Sequence, residues 1–459
     1  MNDAATPLSP LDARAQVSAA FRWISMLLVS LTVLATYLVY DSISPLGEII
    51  QRDLGVTPTD FGLLYGAYSY PNFIMPFLGG ILLDRIGVRL GGLTFAGLCA
   101  GGALLTALGS EGSFWVMFFG RLLFGLGAET LIVAQNKIIA KWFKGRELAL
   151  AFSVNLSICR LGTMLSYNLV PSLKESLQSW TGALWVVAVM MGVGFGIFAL
   201  YALMDRWAER RAGRVEETPE RIDLRLLFGL PRTFWYITLL CVTFYSAVFP
   251  FQQFAPQIFS SRFGMEDTYA SWITSLIIII TIFGTPVFGW LCDRVGKRAT
   301  MMLVGSLLIV PIHLAIGLLP GGGEHPAAPI FDLGFFKWYA AFPLNGMDVN
   351  PILPIMLLGL VFSLVPAAMW PSVARIVEEK RLGTAYGLMG AIQNVGLGLV
   401  PVLIGQSKHP EFVRGALEPF QLSMLLVAGL GLCGFVFAIL LKRADARAGS
   451  RIELPERKA

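Results

Sequence analysis

Two charges sit where a bilayer would make charge expensive. Glu129 interrupts the apolar stretch "FWVMFFGRLLFGLGAETLIVAQN", and Arg160 interrupts "LALAFSVNLSICRLGTMLSYNLV". Glu129 stands 16 residues after Ser113 and 11 before Ala140. On a helix rising about 1.5 Å per residue, that places it ~24 and ~17 Å from the two ends. Arg160 stands 14 residues after Arg146, ~21 Å into the next helix. The two are therefore at matching, central depth on consecutive helices, and ionisable groups at that depth mark functional sites by default. One helix face collects Arg121, Gly125, Glu129 and Asn136; the next collects Ser153, Ser157, Arg160 and Tyr167. Mutual neutralisation that rigidifies the first half of the chain is one use for such a pair. Burying an ion pair, however, seldom stabilises relative to apolar residues of the same size. The sharper reading is a clamp for a zwitterion, with Glu129 accepting an ammonium and Arg160 giving a carboxylate a forked hydrogen bond. A free amino acid or a short peptide carries both charges.

Other polar candidates are fewer and weaker. Asp41, in "YDSIS", ends the first apolar run, and reads either as a solvated helix-end carboxylate or as a gate or second ammonium contact. Tyr37 and Tyr40 lie beside it, and Tyr65, Tyr68 and Tyr70 enrich the next run. Tyrosines at such depths are commonly belt residues, so only some would line a cavity. The second half supplies almost no central charge. Its candidates are Tyr245, Trp370, and Gln393 with Asn394, each of which also suits ordinary helix packing. Fixed charges in the first half and neutral groups in the second suit a site that reads termini with one half and tolerates side chains with the other.

The elements that must position these groups follow from composition. The 459 residues are 55% hydrophobic and 14% charged, with a net charge of +5, and the mean hydropathy is +0.67. A soluble chain of this length would carry more charge, so a bilayer is the expected solvent. Runs of about 20 apolar residues predict twelve spans: 22–44, 60–83, 90–109, 113–140, 146–171, 180–204, 233–258, 267–291, 299–319, 351–374, 382–406 and 418–441. Lys and Arg crowd one set of loops, including Arg85, Arg89, Lys141, Lys144, Arg146, Arg294, Lys297, Arg298, Lys380, Arg381 and the arginines of 205–232. By the positive-inside rule both termini and the middle loop are cytoplasmic. The expected organisation is a six-helix bundle over 1–204, a cytoplasmic linker over 205–232, a second bundle over 233–441 and a solvated basic tail over 442–459. The halves repeat: "GGILLDRIGVR" carries Asp84, Arg85, Gly87 and Arg89, and "FGWLCDRVGKR" carries Asp293, Arg294, Gly296 and Arg298, offset by 209 residues. An internal repeat in a twelve-span chain implies a site at the interface of the repeats.

With these motifs in view, the chain resembles the major facilitator superfamily. G-x-x-x-D-R-x-G-x-R after the second span, echoed after the eighth, is similar to that superfamily's signature, and Arg121-x-x-x-Gly125-x-Gly127 is similar to its second motif. "YDSISPLGEIIQRDLGV", "LLYGAYSYPN", "GRLLFGLGAETLIVAQNKIIAKWFKGRELALAF", "SICRLGT", "VFPF" and "LGTAYGLMGAIQNVGLG" resemble the lysosomal dipeptide uniporter group within it. The resemblance implies an all-α membrane protein of two pseudo-symmetric six-helix bundles. It also implies dipeptides as substrates and carries Glu129 and Arg160 over as the residues that bind them. Asp84, Arg85, Arg89, Asp293, Arg294 and Arg298 are then implied as a cytoplasmic latch that pairs across the halves in the outward-facing state, with Arg121 grouped among the gating residues.

The remaining signals exclude rather than assign. Five single cysteines without C-x-x-C read as buried apolar thiols, and His313, His325 and His409 are dispersed, so neither a metal site nor a disulfide is expected. No phosphate-binding loop appears, which argues against ATP driving. No cofactor, no nucleic acid and no enzymatic role are expected; the partners are a small-molecule substrate and the lipid bilayer, and the chain is expected to be a monomer. E-x-x-E-R is absent from the first span, which favours uniport over proton coupling; symport or exchange of organic anions or sugars is the alternative, and a non-transporting receptor or scaffold a remote one. The N-terminal stretch lacks the features of a cleaved leader and of an acidic dileucine sorting signal, so a bacterial-type cytoplasmic membrane is expected over a lysosome. Loop 320–350, with "FFKWYAAF", is expected along the outer membrane surface.

Overall fold

In the computed structural model, residues 18–143, 147–212, 229–318, 329–332, 337–339, 351–378, 381–408 and 420–455 are described. The first helix, α1 (Ala19–Asp41), starts where the Ser18 hydroxyl accepts the Phe21 amide at 3.2 Å, satisfying one orphan donor. It stops at Asp41, short of the expected 44, and passes through a 3-10 turn (Ser44–Leu46) into α2 (Gly47–Leu54). The second span begins at α3 (Pro58–Ser69), with Pro58 at its first position and a reciprocal capping box between Thr57 and Asp60.

The second span is not one helix, contrary to the continuous run expected over 60–83. Pro71 has no backbone N–H, and the chain turns through a 3-10 segment (Pro71–Phe73) before resuming as α4 (Met75–Ile86). Asn72 Nδ2 takes up the Tyr68 carbonyl at 2.9 Å, which re-satisfies a backbone acceptor left without water at this depth.

The other spans are single helices: α5 (Val88–Gly109), α6 (Phe114–Phe143), α7 (Leu148–Leu177), α8 (Trp180–Ala212), α9 (Arg232–Phe263), α10 (Asp267–Val295), α11 (Arg298–Leu318), α12 (Ile352–Ile376), α13 (Leu382–Ser407) and α14 (Gln421–Arg447). Ten segments are individually long and apolar enough to cross a bilayer among the described residues; α7 and the broken pair α3–α4 complete the twelve. The sixth span runs past the expected 204 to Ala212, so the linker begins later, and 213–228 lies outside the described residues. Both copies of the repeat end a helix on a left-handed glycine, Gly87 at φ 82° and Gly296 at φ 71°, where a side chain would be strained.

Within the first half α5 packs along α6, and α1 packs on α7 and α8; within the second, α11 packs on α14, α9 on α14, and α10 on α12. The halves meet where α3 lies on α13 and α7 on α10. At the α3–α13 seam the backbones touch. A Cβ on Gly62 would lie 2.4 Å from the Pro401 carbonyl oxygen, and one on Gly405 2.2 Å from that of Pro58. Small residues that admit this approach are the usual adhesive between membrane helices, because lipid offers no hydrophobic drive.

One expectation gains detail and two need correction. Within loop 320–350, β1 (Pro329–Asp332) pairs antiparallel with β2 (Lys337–Tyr339), so part of "FFKWYAAF" is hairpin; the rest lies outside the described residues. The tail is not simply solvated charge. Ile452 is wholly buried, its amide bonds the Asp445 carboxylate at 3.1 Å, and the Glu453 carboxylate accepts the Thr300 amide at 2.8 Å at the start of α11. Arg375 completes the clip by donating to the Leu454 carbonyl at 2.7 Å. Finally, Cys433 is exposed on α14, while the other four thiols are buried as expected.

Candidate functional site

Two adjacent long helices of the first half hold the central charges, Glu129 on α6 and Arg160 on α7, both half-buried. They do not bond each other. Glu129 Oε1 accepts the Tyr68 hydroxyl at 2.8 Å. The Arg160 guanidinium lies over aromatic faces instead, 5.8 Å from the Tyr37 ring of α1 and 5.3 Å from the Phe362 ring of α12. Each charge is thus stabilised by a neutral partner, the acid by a hydroxyl and the cation by ring quadrupoles. A residue from each half therefore faces Arg160.

Around this pair the remaining candidates take distinct places. Asp41 is buried. Asn136 is exposed on α6, two turns from Glu129 towards the basic loops. Tyr68 packs on Tyr40, ring centres 4.5 Å apart, and Gln253 Nε2 donates to the Tyr40 hydroxyl at 2.7 Å. In the second half, Trp370 Nε1 donates to the Tyr245 hydroxyl at 2.9 Å. Asn394 is buried and gives its amide to the Gly390 carbonyl of its own helix at 3.0 Å. A cavity of about 270 Å³ lies between α7 and α10, lined by Ser153, Val154, Ser157, Ile158, Leu161 and Ile282. Its serines are one and two turns before Arg160, which places it towards the basic-loop end.

Among the described residues, those expected to latch the halves together at the basic end show no pairing across them. Asp84 pairs with Lys137, and Arg89 bonds Asp205 at 2.7 Å and Glu209 at 2.5 Å, with Lys141 2.9 Å from both acids. Arg298 bonds Asp293 at 2.6 Å, and Arg294 lies 5.2 Å from the Trp290 ring. Arg85 is exposed. The reason is that this structure closes at the other end. There Ser44 Oγ donates to the Gln253 carbonyl at 2.7 Å, the Tyr167 hydroxyl to the Gln252 carbonyl at 3.0 Å, and Gln51 Nε2 to Gln257 Oε1 at 3.0 Å, while Lys174 pairs with Asp267 at 2.6 Å. Arg121 belongs to neither face: it is wholly buried inside the first half, donating to the carbonyls of Val39, Tyr40 and Leu64 at 3.0, 2.8 and 3.4 Å.

Several participants were not singled out by sequence. Phe362 and Phe249 carry no contrast within apolar helices. The glutamines of "PFQQFAPQ" on α9 did offer a signal, three amides in an apolar helix.

Twelve spans in two packed halves, closed at one end around two unneutralised charges, define a membrane transporter for a small solute. Comparison with known proteins agrees. The family model described as Major Facilitator Superfamily matches residues 29–347. The chain is 33% identical to the lysosomal dipeptide transporter MFSD1 of Homo sapiens over 438 residues, covering 93% of this chain and 87% of that protein. It is 35% identical to the Mus musculus MFSD1 over 400 residues, covering 84% and 80%. A solved structure titled for substrate recognition in proton dependent oligopeptide transporters shares the fold at TM-score 0.65 and 18% identity, covering 92% of this chain and 98% of that one. The chain belongs to the major facilitator superfamily, a multi-pass family of transporters rather than enzymes.

Proposed function

We propose that the protein carries dipeptides by alternating access, as a uniporter, with Glu129 binding the substrate ammonium and Arg160 its carboxylate. One observation carries the reading: the acid and the guanidinium are held near the centre of the molecule without pairing, each against a neutral partner. An ion pair kept for stability would be closed, since an uncompensated charge at such a site is costly. A zwitterion that spans Glu129 and Arg160 replaces both neutral partners with charged ones, each contact contributing about 1.5–3 kcal/mol. The similarity to dipeptide transporters over most of the chain supports the same substrate class.

In this reading the two six-helix halves move as lobes, joined by the linker that follows Ala212 rather than the expected 205–232, with the tail after Arg447. The basic loops and both termini face the cytoplasm in a bacterial-type inner membrane, and the functional unit is a monomer. The closed face then points outward, and the substrate reaches Arg160 from the cytoplasmic side past Ser153 and Ser157. Tyr37, Asp41, Tyr68, Asn136, Tyr245, Trp370 and Asn394 are assigned to the cavity wall, and the Asp84 and Asp293 clusters to gating; Arg121, expected among the gating residues, is read instead as a tie between α6, α1 and α3 inside the first half. Uptake of labelled dialanine into liposomes holding the purified protein tests this. Uptake to concentration equality, unchanged by an imposed pH gradient, is expected. Uphill accumulation driven by protons contradicts uniport, and no uptake contradicts the carrier.

A further inference from the structure

We infer that an aromatic wall in the second half reads the side chain of the substrate residue bearing the free carboxylate, selecting apolar and aromatic side chains there. This rests on Arg160 being the carboxylate's partner. Phe362, 5.3 Å beneath the Arg160 guanidinium, is the first ring of a connected set. It packs edge-on against Phe249 with centres 5.3 Å apart and against Tyr245 at 6.1 Å, and Tyr245 stacks on Phe249 at 5.5 Å and 19°. Trp370 bonds the Tyr245 hydroxyl and lies 5.9 Å from the Tyr386 ring. The rings come from α9, α12 and α13, and Phe249, Trp370 and Tyr386 are half-buried, leaving ring surface to meet a ligand.

Two features set what this surface accepts. First, its polar handles are engaged internally: the Trp370 N–H meets the Tyr245 oxygen, and the Tyr386 hydroxyl meets the Trp370 carbonyl at 3.0 Å. What remains to meet a ligand is ring face. Second, its helices bring no charge to that depth. α9 carries only Arg232 and Arg262, near its ends, α12 only Arg375, near its end, and α13 none. In a dipeptide the last side chain leaves the carbon next to the carboxylate, so once that carboxylate is forked on Arg160 the side chain starts within reach of these rings. An aromatic side chain gains ring-on-ring contact beyond simple burial, whereas an acidic or basic one loses hydration with no partner. The amino-terminal side chain, tethered by the Glu129 end, does not meet this wall.

Sequence isomers separate the two positions. In liposomes, Ala-Phe, Phe-Ala, Ala-Ala and Ala-Glu are each competed against labelled Ala-Ala uptake. Ala-Phe is expected to compete about tenfold more strongly than Phe-Ala, and Ala-Glu the most weakly. Phe249→Ala and the conservative Phe362→Leu are each expected to bring Ala-Phe and Phe-Ala within about twofold of each other in competition, whatever the variants do to the KM for Ala-Ala. Equal competition by the two isomers in the unaltered protein overturns the inference, as do variants that weaken all four peptides alike. Should Phe249→Ala fail to fold, the isomer comparison and Phe362→Leu still decide. If no dipeptide competes, the carboxylate reading of Arg160 fails, and this inference fails with it.

Discussion

Three charged side chains within the first half, Arg121, Glu129 and Arg160, meet three different environments, and the contrast separates structural from functional charge. Arg121 is saturated. It donates to the Val39 and Tyr40 carbonyls in the last turn of α1, of which Val39 also takes the Ser42 amide and hydroxyl, and it lies 5.4–5.6 Å from the rings of Tyr40, Tyr65 and Phe124. Arg121→Ala removes three hydrogen bonds from a buried cation to the Val39, Tyr40 and Leu64 carbonyls and is expected to cost about 3 kcal/mol or more, read as a lowered unfolding temperature in detergent, with Arg121→Lys intermediate. Glu129→Gln is expected to do the reverse: unfolding temperature unchanged or raised, because an uncompensated buried charge is removed, and dipeptide binding weakened about tenfold or more. Unfolding scans and binding titrations on the same preparations check both. Glu129 and Arg160 were legible in sequence because a charge in an apolar run is a contrast. Phe362 and Phe249 were not, because an aromatic in an apolar helix looks the same whether it faces lipid, core or cavity.

At the scale of elements, hydropathy located all twelve spans but could not show which helices touch or where one breaks. The break at Pro71 hid inside a continuous apolar run, since proline is tolerated in membrane helices when neighbours re-satisfy the backbone; here Asn72 does so. The α3–α13 seam depends on glycines whose partners lie more than 300 residues away in sequence, a pairing no local pattern encodes. Because Gly405 meets the backbone of Pro58 rather than a flexible side chain, Gly405→Ala cannot be absorbed by a rotamer change. It is expected to leave the protein folded but unable to close this face, so a cysteine placed at Gln257 becomes open to a membrane-impermeant thiol reagent from that side. Protection equal to that in the unaltered background contradicts the seam's role. The tail clip was also invisible beforehand, because its carboxylate, Glu453, finds the start of α11 only in the folded bundle.

For the whole molecule, the account is of a carrier shut on one face and unlatched on the other, with its charge pair waiting between. The shut face contains a titrating reporter. Lys408, just past α13, donates to Gln257 Oε1 at 3.2 Å and lies 4.1 Å from the Phe420 ring. Burial pushes its ammonium from the ordinary 10.5 down to about 8, with the Glu48 carboxylate opposing the drop. Below pH 8 the charge is present in both arrangements, and the shut one bears the burial penalty in full. Between about 8 and 10 only the solvated arrangement stays charged, so rising pH favours closure. Lys408→Met is therefore expected to unfold at a higher temperature than the unaltered protein at pH 7, with the gap shrinking towards pH 10. A gap constant over that range contradicts this. The central claim, that Glu129 and Arg160 hold opposite ends of one guest, is tested most directly by competing labelled dialanine uptake with its N-acetyl and its amide forms. The account predicts that the unaltered protein rejects both, that Glu129→Gln loses discrimination only against the N-acetyl form, and that Arg160→Gln loses it only against the amide. Equal competition by free and end-blocked peptides, or either variant losing both discriminations together, would contradict it.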